Sequence, residues 1–549
     1  MPVSIAHVAP PLMVAVSSLA SPVSGVGNAC VATSGTSGTR RRAHPLRRRR
    51  RAAVVVDAAA ATHALGVDVG TQGTKAIIYD LSSKTVAGKG SCSYGLLPQP
   101  HGRPHFAEQD PEDWLEGIRV AVKQALDDAR CDPSAIASVG VSAQQHGMVA
   151  LDANGDLVRP AKLWCDVESS SEAKELAGRF GWDIQAGFTS SKVLWMIRHE
   201  PNNWSRTQHV LLPHDWINYK LTGVLAMERG DASGIGVMDV NTREFNENLC
   251  NFVDPRFRST LPDLVPPEGT IGVVTAEASR GWLAGLVPPG AEVSVGSGDN
   301  MMSALGAGCV SDGELVVSLG TSGTVFGYSS TAVMDKTGAV APFCDATGGY
   351  LPLLCTMNCT KVVEEPLRWY GIDHDEMVKL AESVPPGCDG VRFLPYLTGE
   401  RSPNWPDATG ALVGLRPGML ANPAVAYRAA VEGVTYTLLA GVKRMSELGL
   451  PSPDAVKVVG GGSKSPLWRQ TIADAFGVSV RRPVEGESAA LGAAMQAAAA
   501  LENVNAGTYV KAHPPAVLDE VETPDGDAVA ALREGYALFV EEGRALFEK

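Results

Sequence analysis

Two short stretches, 250 residues apart, nearly repeat one another. The first, Ala64 to Asp80, reads ALGVDVGTQGTKAIIYD, and the second, Glu314 to Ser330, reads ELVVSLGTSGTVFGYSS. Each sets an apolar strand before a G-T-x-G-T turn and a second apolar stretch after it. A repeat at this distance implies two related halves, each contributing one hairpin. The turn chemistry suits phosphate. Glycines let the backbone approach an anion and present its N–H groups, and threonine hydroxyls add donors. A single such turn serves any hairpin. Two copies that differ at Asp68 against Ser318, and at Lys75 against Val325, favour phosphate binding, with a cation site in the first copy only.

At 549 residues the chain has enough length for two or more domains with large cores. No run of about 20 uninterrupted apolar residues is present, so a membrane span is not expected. Residues 1–56 differ from the rest. They contain no Asp or Glu, and eight arginines fall at Arg40–Arg42 and Arg47–Arg51. The Arg run follows the apolar part, which is the order of an organelle transit peptide rather than a secretory signal. Arg40 as the first Lys or Arg and the Ser/Thr content favour a plastid, with a mitochondrion or the cytoplasm as the alternatives. A basic tail for nucleic acid is the competing reading. Removing those eight arginines from the 47 Lys+Arg leaves 39 against 60 Asp+Glu, a formal charge of −21. Such a body is a poor general binder of nucleic acid. Ten cysteines without a C-x-x-C pair argue against a zinc site or a disulfide framework.

The chain order gives a coarse map. Residues 64–69 read as a strand, Ala76–Asp80 as its hairpin partner, and Val86–Tyr94 as a third strand. Asp110, Pro111, Glu112 and Asp113 then start a helix with a stripe of Trp114, Ile118, Val122 and Leu126. Ile136–Ser142 is the next strand, and the same order is expected to recur after residue 291. Further helices are expected at Glu432–Leu448, Leu467–Phe476 and 525–549, with a strand at Val456–Val459 and a connector over Pro514–Pro524. Residues 150–290, which hold Trp164, Trp182, Trp195, Trp204 and Trp216 among mixed polar residues, read as the rest of the first lobe. A lobe boundary falls near 305–313, which divides the chain into 1–56, 57–308 and 309–549.

Three further motifs carry chemistry. In GSGDN, Asp299 either caps a helix or accepts a proton from a substrate hydroxyl. In GGGSKS, after a strand, Gly461, Gly462 and Ser465 form either a plain turn or a surface for a flat ring. In SAQQHG and LWCD, Gln145, His146 and Asp166 either bond sugar hydroxyls or serve packing.

In combination these motifs resemble the FGGY carbohydrate kinases over residues 64–505. The resemblance rests on DVGTQGTK, GSGDN, SLGTSGT, FLPYLTGERSP, VVGGGSKSPLWRQ and ESAALGAA in that order. It implies an α/β chain on the duplicated actin/hexokinase-like (ribonuclease H-like) fold, two lobes with a central ATP and sugar cleft. Within the family, SAQQHGMVALD, KLWCDVES and ERSP are most similar to the xylulose kinases. The implied reaction is ATP-dependent phosphorylation of D-xylulose, with D-ribulose or another polyol as the alternative acceptor. A nucleotide-binding sensor or scaffold without catalysis is the alternative of another class. The implied roles are Asp299 as base, Asp68 as Mg²⁺ holder, and Thr71, Lys75, Gly320 and Thr321 on the ATP phosphates. Gly461, Gly462 and Ser465 would line the adenosine site, and Gln145, His146, Asp166 and Asn300 would bind the sugar. The implied partners are ATP and a small ketose, in a monomer or homodimer. The chain departs from the family pattern at Gln145, Cys165 and Glu168, where the family often has Met, a different residue before the Asp, and Arg.

Overall fold

The computed structural model describes residues 61–548. The expected transit segment lies outside them. Strands β1 (His63–Gly70), β2 (Gly73–Asp80) and β3 (Thr85–Ser93) form an antiparallel meander. Helix α1 (Pro111–Ala129) then carries the chain to β4 (Ile136–Ala143), parallel to β1 on its other side. Much later, β5 (Thr270–Val273), β6 (Glu292–Ser294) and the short β7 (Ser297–Gly298) complete the sheet, in the order β5-β6-β4-β1-β2-β3 with β7 also on β4.

Helix α2 (Asp299–Gly306) leads into the second sheet. Its strands are β8 (Leu315–Leu319), β9 (Gly323–Gly327), β10 (Ala341–Cys344), β11 (Tyr350–Thr356), β12 (Ala455–Val459), β13 (Ser479–Pro483) and β14 (Val517–Glu522), ordered β10-β11-β9-β8-β12-β13-β14. Helix α3 (Pro423–Glu447) precedes β12, α4 (Pro466–Phe476) links β12 to β13, α5 (Ser488–Leu501) follows β13, and α6 (Gly526–Phe547) ends the described chain. The path β3-β2-β1-β4-β6-β5 matches β11-β9-β8-β12-β13-β14 strand for strand. In both, two antiparallel pairings are followed by two parallel ones and a last antiparallel one. The internal repeat is therefore structural as well as local, and the two-sheet α/β fold is the expected one.

The local reasons are those in the sequence. Asp110 accepts from Glu112 N at 3.0 Å and starts α1, with Pro111 at its first position. Trp114, Ile118 and Val122 then pack with Leu65, Val67 and Val69 of β1. The other face of the sheet is covered from far along the chain. At Gly66 and Gly140 a Cβ would collide with the carbonyls of Ala490 and Ala493, so α5 lies directly on β1 and β4. Gly306 and Gly492 let α2 and α5 cross just as closely. One apolar cluster joins Ala64 and Ile77 of the first sheet, Val316 and Phe326 of the second, and the alanines of α5. No described helix is long and apolar enough to cross a membrane.

Three expectations need correction. The repeat restarts at Leu315, not after residue 291, because β6 and β7 still belong to the first sheet. Helix α3 starts at Pro423 rather than Glu432, where Asn422 accepts from Ala424 N at 3.1 Å. Pro514–Pro524 is not a plain connector. Its prolines flank β14, which closes the second sheet's edge and gives Glu522 to Arg469 at 2.6 Å.

Candidate active site

The β1–β2 turn, the β8–β9 turn and the start of α2 meet at a cavity of about 240 Å³. Thr71 comes from the first turn, Gly320 and Ser322 from the second, and Asp299 and Asn300 from α2. The remaining wall includes Gln145, His146, Trp164, Phe188, Phe343 and Arg401.

Asp299 reaches this position through a forced bend. Gly296 has φ +74°, and a Cβ there would stand 2.6 Å from the Val141 carbonyl oxygen. The chain turns, pairs briefly with β4 as β7, and enters α2 with Asp299 as its first residue. The N-cap position belongs to Gly298, so Asp299 is not the capping residue that one sequence reading offered. Burial, then the charges of Asp68 and Asp231, hold its carboxyl well above the ordinary carboxylate range. Asn300 Nδ2 donates to Asp299 Oδ1 at 3.1 Å and to Gln145 Oε1 at 2.6 Å. Gln145 therefore orients Asn300 as well as lining the cavity.

Asp68 stands opposite Ser142 across β1 and β4, and accepts from its hydroxyl at 2.8 Å on Oδ1. Its other oxygen accepts no hydrogen bond among the described residues. Burial raises its proton affinity, against Lys75 and Ser142. Asp68 does not line the cavity, but its charge reaches Asp299, and an acidic pair of this kind suits a divalent cation, which relieves both repulsion and desolvation. The one cluster of three acidic groups among the described residues, Glu108, Asp166 and Glu168, is not such a site. Lys162 Nζ sits among them, at 3.1, 3.0 and 2.6 Å.

That arrangement also corrects an expectation. Asp166 does not line the cavity. It is fully buried, with Oδ2 accepting from Ala107 N at 2.9 Å and from Lys162. Its neighbour Trp164 does line the cavity, and the Trp164 indole N–H donates to Thr71 Oγ1 at 3.0 Å. Glu168, at the position where the resemblance implies Arg, forks with Arg103 at 2.6 and 2.5 Å.

The residues expected on the ATP phosphates fall into two groups. Thr71 and Gly320 line the cavity, but the Thr71 hydroxyl already donates to Gln144 Oε1 at 3.0 Å, which leaves mainly its backbone for a ligand. Thr321 is exposed at the tip of the second turn, outside the cavity lining. Lys75 is exposed as well and pairs with Glu487, just before α5, at 2.6 Å. The residues expected to border an adenosine, Gly461, Gly462 and Ser465, lie outside the cavity. Gly460 (φ +85°, ψ 179°) comes within Cβ distance, 2.7 Å, of the Leu319 carbonyl oxygen, while Gly461 faces open space. Ser465 caps α4, accepting from Trp468 N at 3.3 Å.

His146 is the remaining expected sugar residue. It holds φ +56°, lies between Phe188 and Phe343 at 5.3 and 5.2 Å, and its Nδ1 has no hydrogen-bond partner. Burial, then Lys192 and Arg401, keep it neutral, well below the ordinary imidazole value. Asp231 accepts from His146 N at 3.3 Å, and Thr189 donates to its carbonyl at 3.0 Å. Asp231 also accepts from His214, which bridges to Asp215 at 2.9 Å. Against the cost of burial, Asp215 and Asp231 hold His214 well above 6.5, as an imidazolium. Neither Asp231 nor Arg401 was singled out from the sequence. Arg401 lies in the noted ERSP segment, whereas nothing local marks Asp231.

Comparison with known proteins agrees with the two-sheet fold. The N-terminal domain of the FGGY family of carbohydrate kinases matches residues 63–306, and its C-terminal domain matches residues 315–501. A xylulose kinase of Haemophilus influenzae is 37% identical over 451 residues, 79% of this chain and 90% of its own length. One of Streptomyces rubiginosus is 36% identical, over 85% of this chain and 92% of its own. The crystal structure of xylulose kinase from Bifidobacterium adolescentis superposes with a TM-score of 0.71 at 30% identity, covering 86% of this chain and 99% of that one. With both family domains matched in order across two matching sheets, this chain belongs to the FGGY family of carbohydrate kinases.

Proposed function

We propose that the chain transfers the terminal phosphoryl group of ATP to D-xylulose, giving D-xylulose 5-phosphate and ADP. The observation that carries the reading is the meeting of both repeated turns with Asp299 at one cavity. The similarity to xylulose kinases at 36% and 37% identity supplies the acceptor.

In this mechanism the sugar's terminal hydroxyl oxygen bonds to the γ-phosphorus as the bond from that phosphorus to the ADP oxygen breaks. The hydroxyl proton passes to the Asp299 carboxylate. Phosphoryl transfer asks little covalent help of a protein and much alignment and charge compensation. Asn300, fixed by Gln145, holds Asp299 in orientation. Backbone groups of Thr71, Gly320 and Thr321 hold phosphate oxygens, with Lys75 near them. The Gly461–Gly462 turn and Ser465 border the adenosine. His146 and Asn300 meet sugar hydroxyls, while Asp166 supports the wall from behind. Mg²⁺, held by Asp68, supplies charge neutralisation when bound with ATP. The two halves of the reading are residues 57–308 and 309–549. Residues 1–56 act as a plastid transit peptide, a reading supported by their composition alone.

The test is ADP release from ATP, Mg²⁺ and D-xylulose, with D-ribulose and glycerol for comparison. A preference for D-xylulose is expected. Turnover with another sugar only would keep the kinase and discard this acceptor. Nucleotide binding without sugar-dependent turnover would favour a sensor.

A further inference from the structure

Arg401 is one of two charged side chains on the cavity wall, the other being Asp299. Its backbone is pinned. Buried Glu400 accepts from Arg401 N and from Met357 N, each at 2.8 Å, and from Asn358 Nδ2 at 3.0 Å. The guanidinium itself makes no hydrogen bond or ion pair among the described residues. Three buried arginines, by contrast, are each paired with a carboxylate: Arg159 to Glu108 at 2.6 Å, Arg428 to Glu432 at 3.1 Å, and Arg469 to Glu522 at 2.6 Å. Two opposite charges thus share about 240 Å³ and do not meet, which leaves a gap for a molecule between them.

The chemistry of the two ends differs. Asp299 accepts a proton from a hydroxyl. Arg401 has donors only, with no acceptor and no accessible neutral form. Its field falls on the sugar wall. It follows burial and Lys192 among the causes that keep His146 neutral, and it offsets burial at Asp183, two residues from the cavity-lining Gln185. The first hairpin's Asp68 and Lys75 answer to each other and to Glu487 instead.

We propose that Arg401 receives the carbonyl end of the acceptor and makes the site select a ketose over the matching alditol. The inference rests on the sugar-kinase reading above. A ketose offers a terminal hydroxyl at one end and, near the other, a carbonyl oxygen that only accepts. A donor-only guanidinium satisfies that oxygen. An alditol puts a hydroxyl there, whose hydrogen Arg401 cannot accept, and a buried unpaired donor is disfavoured.

The experiment measures kcat and KM of the full chain and of its Arg401→Gln and Arg401→Lys variants, with D-xylulose, with xylitol and with MgATP. Arg401→Gln is expected to lower kcat/KM for the ketose by about 10- to 100-fold, the range for a lost charged hydrogen bond. Activity on xylitol should change little, so the preference collapses, and KM for MgATP should hold. Arg401→Lys, which keeps a charge but loses the planar fork, should fall between. An equal loss on ketose and alditol would make Arg401 a support of the wall, and a raised KM for MgATP would make it a phosphate ligand. Either result, or no change, overturns the proposal. Absence of ketose-dependent turnover in the unaltered chain would instead remove the kinase reading, and this proposal with it.

Discussion

Burial and two neighbouring carboxylates, Asp68 and Asp231, load Asp299 with proton affinity. A base must be deprotonated to act, so a raised pKa moves the acidic limb of the rate profile upward. Turnover should fall, as pH drops, at a higher pH than an ordinary carboxylate would give. Asp231→Asn removes one of the raising charges, so the limb of kcat/KM against pH should move to lower pH. An unmoved limb would show that Asp231 acts only through structure. Asp299→Ala should cost about 10³-fold or more in kcat, the scale of a lost positioned base. Nucleotide binding, followed by calorimetry, should persist. Asp299, Asn300, Thr71 and Gly320 were legible because each sits in a motif whose glycines announce a turn. Arg401 sits in the ERSP motif, which marks the resemblance but assigns that side chain no role, and Asp231 was not legible because nothing local marks it and it reaches the site only by backing His146. Asp166 shows the converse: a Trp-x-Asp pattern suggested sugar, but the fold surrounds the carboxylate with Lys162 and a backbone amide.

Elements were readable wherever caps and stripes agreed, as in α1. Helix α3 was under-read at its start because Ala424, Ala429 and Ala430 give little apolar contrast, although Asn422 and Pro423 mark the true beginning. Strand β14 was missed because its neighbours Pro514, Pro515 and Pro524 read as a breaker; the proline-free stretch between them contains Val517–Glu522, which pairs with β13. The turn after β12 is the element most constrained by backbone geometry. At Gly460, φ and ψ lie in a region essentially reserved for glycine, and Leu319 leaves no room for a Cβ. Gly460→Ala should cost about 1–3 kcal/mol in strain. The expected readouts are a lower Tm and a raised KM for ATP, with KM for the sugar little changed. A selective change in the sugar KM would separate this turn from the nucleotide.

At the scale of the molecule, the repeated strand order was only partly visible. The two G-T-x-G-T turns announced a duplication, but the matching of the outer strands is a property of pairing, not of sequence. Deleting residues 1–56 should leave kcat and both KM values unchanged, since the first described strand begins at His63. A large loss on deletion would give that segment a part in the folded enzyme. Helix α5 has a consequence for how the chain comes into being. During synthesis, β1 to β7 leave the ribosome with the glycine-lined face of their sheet bare, and its cover, Ser488–Leu501, arrives only after most of the second sheet has been made. The nascent first half therefore waits with apolar surface open to other chains, a state prone to aggregation. Expressed alone, residues 63–306 should be insoluble, and a separately supplied second half should rescue them. A soluble, monomeric fragment would show that the early strands can close their own face.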